Sequence, residues 1–199
     1  MFAVHARYRG RERRRADLVR RSAEALSTLD GVGRFELLGV EDICAVIDSA
    51  EAVTDTTMAL LSAGDWAIGI GVSPGEAVDP EEIRQLATAA IGRRCRTGVV
   101  RVRSRTGDDM GDIAAVFVLL SHVLAKRTTE GREATQLMRG GMNQNEAAAE
   151  LGISKQAMSQ RLAAAGWAAE TAGWKLAVTL LRAADTGTPQ DPGRHPGIR

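Results

Sequence analysis

The chain has 199 residues, of which 44% are hydrophobic, and a formal net charge of +1. Its size and composition are typical of one large or two modest globular domains, and no apolar run approaches the ~20 residues that cross a bilayer. We therefore expect a cytoplasmic protein with no membrane partner. Cys44 and Cys95 lack a CxxC or CxxH neighbour, so neither a disulfide framework nor a zinc site is expected.

The first half of the chain alternates short apolar runs with helical patterns. Strands are predicted at 2–7, 34–38, 43–47, 66–72 and 97–103, and helices at 13–29, 50–63 and 81–91. The order β-α-β-β-α-β, followed by α-β, predicts an α+β protein with an N-terminal ferredoxin-like βαββαβ domain over 1–105. Gly69 and Gly71 lie mid-strand without the Lys-Ser/Thr of a phosphate-binding loop, so we expect them to let a helix pack closely.

A run of arginines surrounds the start of the first predicted helix. Between 7 and 21 the chain has eight arginines against only two carboxylates, Glu12 and Asp17. Such a run can bind phosphate, or it can be the solvated face of a helix. Arg13, Arg14 and Arg15 are the candidate residues for an anionic ligand, such as a small-molecule effector.

The second half of the chain, 110–185, is predicted to be all-α after a linker at 104–109. The helix at 112–126 is too apolar for a lone surface helix, so we expect it to be buried between domains or against a second subunit, with His122 buried. Helices are also predicted at 128–138 and from 167 onward, where Trp167 and Trp174 should lie in the core. Residues 186–199 are rich in Pro and Gly and predict a disordered tail.

Residues 144–163 have the spacing of a helix-turn-helix. The aliphatic side chains Leu151 and Ile153 flank a central Gly152, which can adopt the left-handed backbone that the turn requires. Ser154 can then cap the second helix. No strand-turn-strand pattern follows, so a winged arrangement is not expected.

The outward positions of the second helix are polar, and no carboxylate occurs between 154 and 167. Glutamine can bind adenine and arginine can bind guanine in the major groove, while serine and lysine suit phosphate. The alternative is a structural helical hairpin with a solvated face. The predicted DNA-binding residues are Gln144, Ser154, Lys155, Gln156, Ser159, Gln160 and Arg161.

The stretch 146–162, EAAAELGISKQAMSQRL, resembles the helix-turn-helix of SatD-type and related actinobacterial regulators, which are often labelled MarR-family. It is also similar to region 4 of sigma factors. The likeness to the first group extends to 13–19, 39–42, 66–71 and 126–128. This resemblance implies a cytoplasmic DNA-binding protein whose N-terminal domain is like a degenerate nucleotide cyclase.

A working cyclase-type domain needs carboxylates after the first strand and in the hairpin to hold two metal ions. Here the first strand ends in His5-Ala6-Arg7, and the hairpin contains only Glu41 and Asp42, which we interpret as turn residues. We therefore expect no catalytic residues, no metal and no cofactor.

These observations predict a transcriptional regulator that binds double-stranded DNA as a homodimer. The N-terminal domain would dimerise or sense a signal. Two alternatives remain: a sigma-like or other protein-binding module, and a nucleotide-processing enzyme with an attached DNA-binding domain.

Overall fold

A computed structural model describes residues 1–75, 79–92 and 95–187 of the chain. The strands are β1 (Phe2–Tyr8), β2 (Glu36–Leu37), β3 (Asp42–Ile47), β4 (Trp66–Val72) and β5 (Val100–Ser104). The helices are α1 (Arg15–Leu26), α2 (Ala50–Ala63), α3 (Pro80–Ile91), α4 (Gly111–Ala125), α5 (Thr129–Arg139), α6 (Gln144–Glu150), α7 (Lys155–Ala164) and α8 (Trp167–Thr186). Thr186 thus ends a helix, and the rest of the predicted tail from 188 onward lies outside the described residues.

The five strands form one mixed sheet in the order β2-β3-β1-β4-β5. β1 pairs antiparallel with both β3 and β4, and β2 pairs antiparallel with β3. β5 runs parallel to β4 because α3 connects the two strands. The protein is therefore of the α+β class, as the sequence predicts.

Helices cover both faces of the sheet. Alternate residues of β1 point to opposite faces, so Val4 joins the main core with α1 and α2, whereas Ala3 packs on Ile83 and Ala87 of α3. Gly69 of β4 lies under the same helix, where a Cβ atom would come within 2.3 Å of the carbonyl oxygen of Ala87. A Cβ atom on Gly71 would lie 2.8 Å from the carbonyl oxygen of Ile83. The prediction that these glycines permit close helix packing is confirmed.

The main hydrophobic core continues beyond the sheet into α4 and α8. Phe117 of α4 and Leu181 of α8 are fully buried in the same cluster as the strand residue Ile68. The core thus crosses the 104–109 segment in which the sequence predicts a linker, and Ser104, the first residue of that segment, is itself buried at the end of β5.

α4 buries only one side, which corrects the expectation for His122. The buried residues of this helix recur at helical spacing and include Phe117, whereas His122 lies on the outer side and is exposed. No helix in the described ranges has the length and apolarity that a membrane span needs.

A second, smaller core joins α5, α6 and α7. These three helices are called here the α5–α7 unit. Its buried side chains are three alanines and two larger apolar residues: Ala134, Ala147, Ala148, Met158 and Leu162.

Candidate nucleic-acid interface

α6 begins at a capping box. The Oδ1 atom of Asn143 accepts hydrogen bonds from the backbone amides of Asn145 at 2.9 Å and Glu146 at 3.1 Å. In return, the Glu146 carboxylate accepts from the Asn143 amide at 2.8 Å. This reciprocal pair fixes where the helix begins. The sequence analysis missed Asn143, although an Asn followed three residues later by Glu is the signal for this cap.

The turn between α6 and α7 has the backbone that the sequence predicts. Gly152 adopts φ +63°, in the left-handed region, and the Ile153 amide donates to the Ala148 carbonyl at 3.0 Å. The Ser154 hydroxyl then caps α7 by accepting from the Ala157 amide at 3.1 Å. The two helices are therefore held in a short, defined hairpin.

The outer side of α7 is polar and open to solvent. Met158 and Leu162 point into the α5–α7 core, and the helix exposes the opposite side. Of the predicted DNA-binding residues, Ser154, Lys155, Gln156, Ser159 and Gln160 are exposed, whereas Gln144 and Arg161 are half-buried. Ala163 is exposed as well, at i+7 from Gln156 and so on the same side. Sequence reasoning missed Ala163, which this spacing would have revealed.

Arg161 lies at the edge of that exposed side, toward α5. The pKa of the exposed Glu130 carboxyl is lowered by a hydrogen bond from its own backbone amide, by one from the Thr128 side chain, and by the positive charge of Arg161. Arg161 therefore lies near Glu130 of α5. Lys155 carries the other positive charge of α7.

A buried ionic cluster attaches the α5–α7 unit to α8. Glu170 of α8 accepts from the guanidinium of Arg127 and, at 2.7 Å, from Nε of Arg139. Arg127 also donates through Nε to the Ala165 carbonyl at 2.8 Å, directly at the C-terminus of α7. The cluster thus connects the end of α7 to the α4–α5 junction and to α8. The sequence analysis missed it, because its members lie far apart along the chain.

The candidate anion-binding arginines lie apart from α7, at the start of α1. Arg13, Arg14 and Arg15 are all exposed, and Arg15 forms an ion pair with Glu41, which also pairs with Arg9 at 3.5 Å. Within the described part of the chain, no hydrogen bond or ion pair joins these three arginines to α6 or α7.

The hairpin carboxylate Asp42 belongs to a polar cluster on the sheet. It begins β3 rather than lying in the turn, which corrects the expectation for this residue, and its Oδ1 accepts from Nε of Arg7 at 2.5 Å. The same oxygen lies 2.7 Å from Nε2 of the buried His5, whose Nδ1 lies 2.8 Å from the Thr88 hydroxyl. Burial lowers the pKa of His5, and the bond to Asp42 only partly opposes that effect.

The described residues contain no group of three or more His, Cys, Asp or Glu side chains that could hold a metal ion. Both cysteines are buried and unpaired, and burial raises the pKa of Cys44 to about 12. Cys44 therefore behaves as a small apolar side chain, whereas the sulfur of Cys95 accepts weak hydrogen bonds from Arg7 at 3.9 Å and Arg9 at 3.6 Å.

Comparison with known proteins gave no match. No family model fits the chain, and no curated protein or solved structure is significantly similar to it.

Proposed function

We propose that this protein is a DNA-binding transcriptional regulator in which α6 and α7 form a helix-turn-helix. The observation that carries the proposal is the two-sided character of α7. Met158 and Leu162 anchor one side in the α5–α7 core, while the other side is exposed, polar and free of carboxylates. A helix of this kind can enter the major groove without repelling the phosphates on either side.

The proposed readout rests on the side chains at the centre of that exposed side. Gln156 and Gln160 lie one turn apart, so each amide can form a bidentate pair with an adenine edge. Ala163 can contact a thymine methyl group. Lys155 and Ser159 flank this row and suit phosphate contacts.

We propose that the protein binds DNA as a homodimer through α4 and α8. α4 exposes Val118 and Leu119, at 52% and 68%, and α8 exposes Leu176 at 49%. Exposed apolar side chains on two packed helices are typical of an interaction surface. A dimer would also supply a second recognition helix about 34 Å away, and one copy of α7 has only two cations with which to bind phosphate.

We infer that the first four strands, with α1 and α2, form a ferredoxin-like domain. One further helix and strand extend its sheet at the β4 edge. The β2-β3-β1-β4 order with antiparallel neighbours supports this assignment, and α3 with β5 is the extension. We propose no catalytic role for this domain. Asp42 is neutralised by Arg7, and Glu41 is shared between Arg9 and Arg15, so neither carboxylate is free to bind a metal ion.

The test is selection of duplexes from a random DNA library, followed by fluorescence anisotropy on the enriched site. Gln156→Ala should weaken binding by about 1–3 kcal/mol and relax the preference at one base position per half-site. Gln85→Ala is the matched control, because Gln85 is an exposed glutamine on α3. Equal affinity of wild type and Gln156→Ala for every enriched site would remove Gln156 from the readout.

The salt dependence of binding separates DNA binding from the alternatives. Two copies of Lys155 and Arg161 would contact four phosphates, so log K should fall with log salt at a slope of about −4. A protein-binding module would enrich no duplex. A nucleotide-processing enzyme would turn over a nucleoside triphosphate with Mg²⁺ or Mn²⁺, and Glu41→Gln would abolish that turnover.

A further inference from the structure

A cavity of about 540 Å³ lies where α2, α5 and α8 meet. α8 contributes Trp167 and Trp174, which are two turns apart on one side of the helix and only partly buried. α2 contributes Met58 and Ala59 on the opposite wall. The volume lies within the range of small-molecule sites, and two indole rings with aliphatic side chains provide a surface for an apolar or aromatic ligand. Trp174 packs against the main core and Trp167 against the α5–α7 core, as expected, but each leaves part of its ring on the cavity wall.

One end of this cavity holds one carboxylate paired with two guanidinium groups, of which only one lines the cavity. Glu170 lies there, but its single negative charge is shared between Arg127 and Arg139. Arg127 is buried behind the wall, whereas the Arg139 side chain is 40% exposed and lines the cavity, with only its Nε committed to Glu170. The terminal nitrogens of Arg139 can therefore meet an anionic group.

The opposite end of the cavity is formed around Trp174, whose ring is held by a hydrogen bond. Nε1 of Trp174 donates to Asp55 Oδ1 at 2.7 Å, which orients the indole and occupies the one carboxylate at that end. Leu29 and Met58 complete this end.

We propose that the cavity binds an organic anion with an apolar, aromatic-sized body, its anionic group on Arg139 and its body between the tryptophans and Met58. This site is distinct from the arginines at the start of α1 and from the exposed side of α7. A bound anion would lie beside the Arg139–Glu170 ion pair, which attaches the α5–α7 unit to α8. Its effect on DNA binding rests on the proposed function, but the binding itself does not.

The test uses two dyes on the full chain without DNA. 8-Anilinonaphthalene-1-sulfonate has an apolar body and an anionic group, and N-phenyl-1-naphthylamine has nearly the same rings without the charge. The sulfonate should bind one molecule per chain with a Kd on the order of micromolar, seen as increased dye emission and quenched tryptophan emission. Near-ultraviolet circular dichroism must show native packing, since loosely packed states also bind this dye.

Three variants test whether the dyes bind in this cavity. Arg139→Gln should weaken the sulfonate at least about tenfold while leaving the neutral dye within about twofold, because only the charged group is lost. Ala59→Trp should weaken both dyes at least about tenfold, since the added indole occupies part of the space between α2 and α8. Arg182→Gln is the matched control: this arginine lies on α8, is 66% exposed, and pairs with Glu51 outside the cavity.

Several results would overturn the proposal. These are a folded protein that binds no sulfonate, a wild-type affinity in Ala59→Trp, or an equal loss of both dyes in Arg139→Gln. If Arg139→Gln does not fold, Ala59→Trp still decides the site.

A last measurement connects the site to DNA. Saturating sulfonate should weaken binding to the selected duplex at least about threefold in wild type and leave Ala59→Trp unaffected. Because the dye titrations use protein without DNA, failure of DNA binding would leave the ligand result intact. Sulfonate binding without any change in DNA affinity would overturn only the coupling.

Discussion

Arg127, which lies between α4 and α5, and Glu170 of α8 form an ion pair in which the two side chains are only 2% and 4% exposed. Neither charge is solvated, so each depends on the other and on neighbouring hydrogen bonds. The other two guanidinium nitrogens of Arg127 donate to the Ala165 carbonyl and the Thr135 hydroxyl, and Arg139 supplies the second bond to Glu170. The attachment of the α5–α7 unit to the rest of the molecule therefore rests on buried polar contacts as well as on apolar packing.

Removing the negative charge of this pair should be strongly destabilising. We expect Glu170→Gln to lower the free energy of unfolding by about 3–5 kcal/mol, because the buried guanidinium of Arg127 loses its counter-charge. Urea denaturation measures the change. Glu24→Gln serves as control: Glu24 pairs with Arg20 on the exposed side of α1, and its loss should cost no more than about 0.5 kcal/mol. Similar losses for the two variants would contradict the buried role of Glu170.

The buried His5 makes stability depend on pH. Its pKa in the folded state is lowered, chiefly by burial, from the value of 6.5 that an unfolded chain retains. As the pH falls below 6.5, the unfolded state therefore binds the proton first. The stability is complete above that pH and declines below it by at most about 1.4 kcal/mol per pH unit, until the folded-state pKa is reached.

His5→Gln should flatten this decline between about pH 7 and pH 5.5, as measured by urea midpoints. A glutamine amide can still bond to both Asp42 and Thr88, so the fold should be kept. His122→Gln is the control: His122 is exposed on α4, and its replacement should leave the decline in place. A decline that persists in His5→Gln would have to come from other groups.

The sequence predicted those elements whose ends have local signals. The predictions for α2 and β4 are confirmed to the residue, because Ser49 caps α2 and Gly64 ends it in the left-handed conformation just before β4. β5 begins at Val100 and not at 97, because Gly98 adopts φ +75° and turns the chain.

Among the candidate sites, too, those built from one short stretch of sequence could be predicted, and those built from distant residues could not. The α6–α7 hairpin depends on residues within one stretch of about twenty, so its turn and cap could be predicted from local patterns. The Arg127–Glu170 pair joins residues 43 apart, and the cavity needs three helices that only tertiary packing brings together. A periodicity argument predicted Trp167 and Trp174 as apolar positions, but it could not show that the opposite wall leaves a space.

The close approach of α3 to β4 predicts a large effect from one methyl group. Gly69→Ala would place a Cβ atom 2.3 Å from the Ala87 carbonyl oxygen and 2.8 Å from the Ile91 amide nitrogen. Because both are backbone atoms of one helix, α3 must move as a unit, and we expect a loss of about 1–3 kcal/mol or more. The same change at Gly111 would meet the flexible carboxylate of exposed Asp109 at 3.2 Å, so thermal unfolding should show little change there. Equal unfolding temperatures for the two variants would contradict the tight packing.

The exposed apolar side of α4 predicts how the protein associates. Leu119→Arg should convert the proposed dimer to a monomer, because a charged side chain in a buried apolar interface loses its hydration without gaining a partner. Sedimentation equilibrium measures the mass of the species, and the DNA affinity of the same sample should fall at least about tenfold as the second recognition helix is lost.

Leu37→Arg provides the matched control for this substitution. Leu37 is 50% exposed, compared with 68% for Leu119, but it lies on the edge strand β2 and not on α4. Leu37→Arg should therefore leave both the mass of the species and the DNA affinity unchanged. If Leu37→Arg rather than Leu119→Arg gave the monomer, the dimer would form through the β2–β3 hairpin. A wild-type protein that sediments as a monomer at micromolar concentration would contradict the proposed dimer. DNA binding would then have to depend on a single copy of α7.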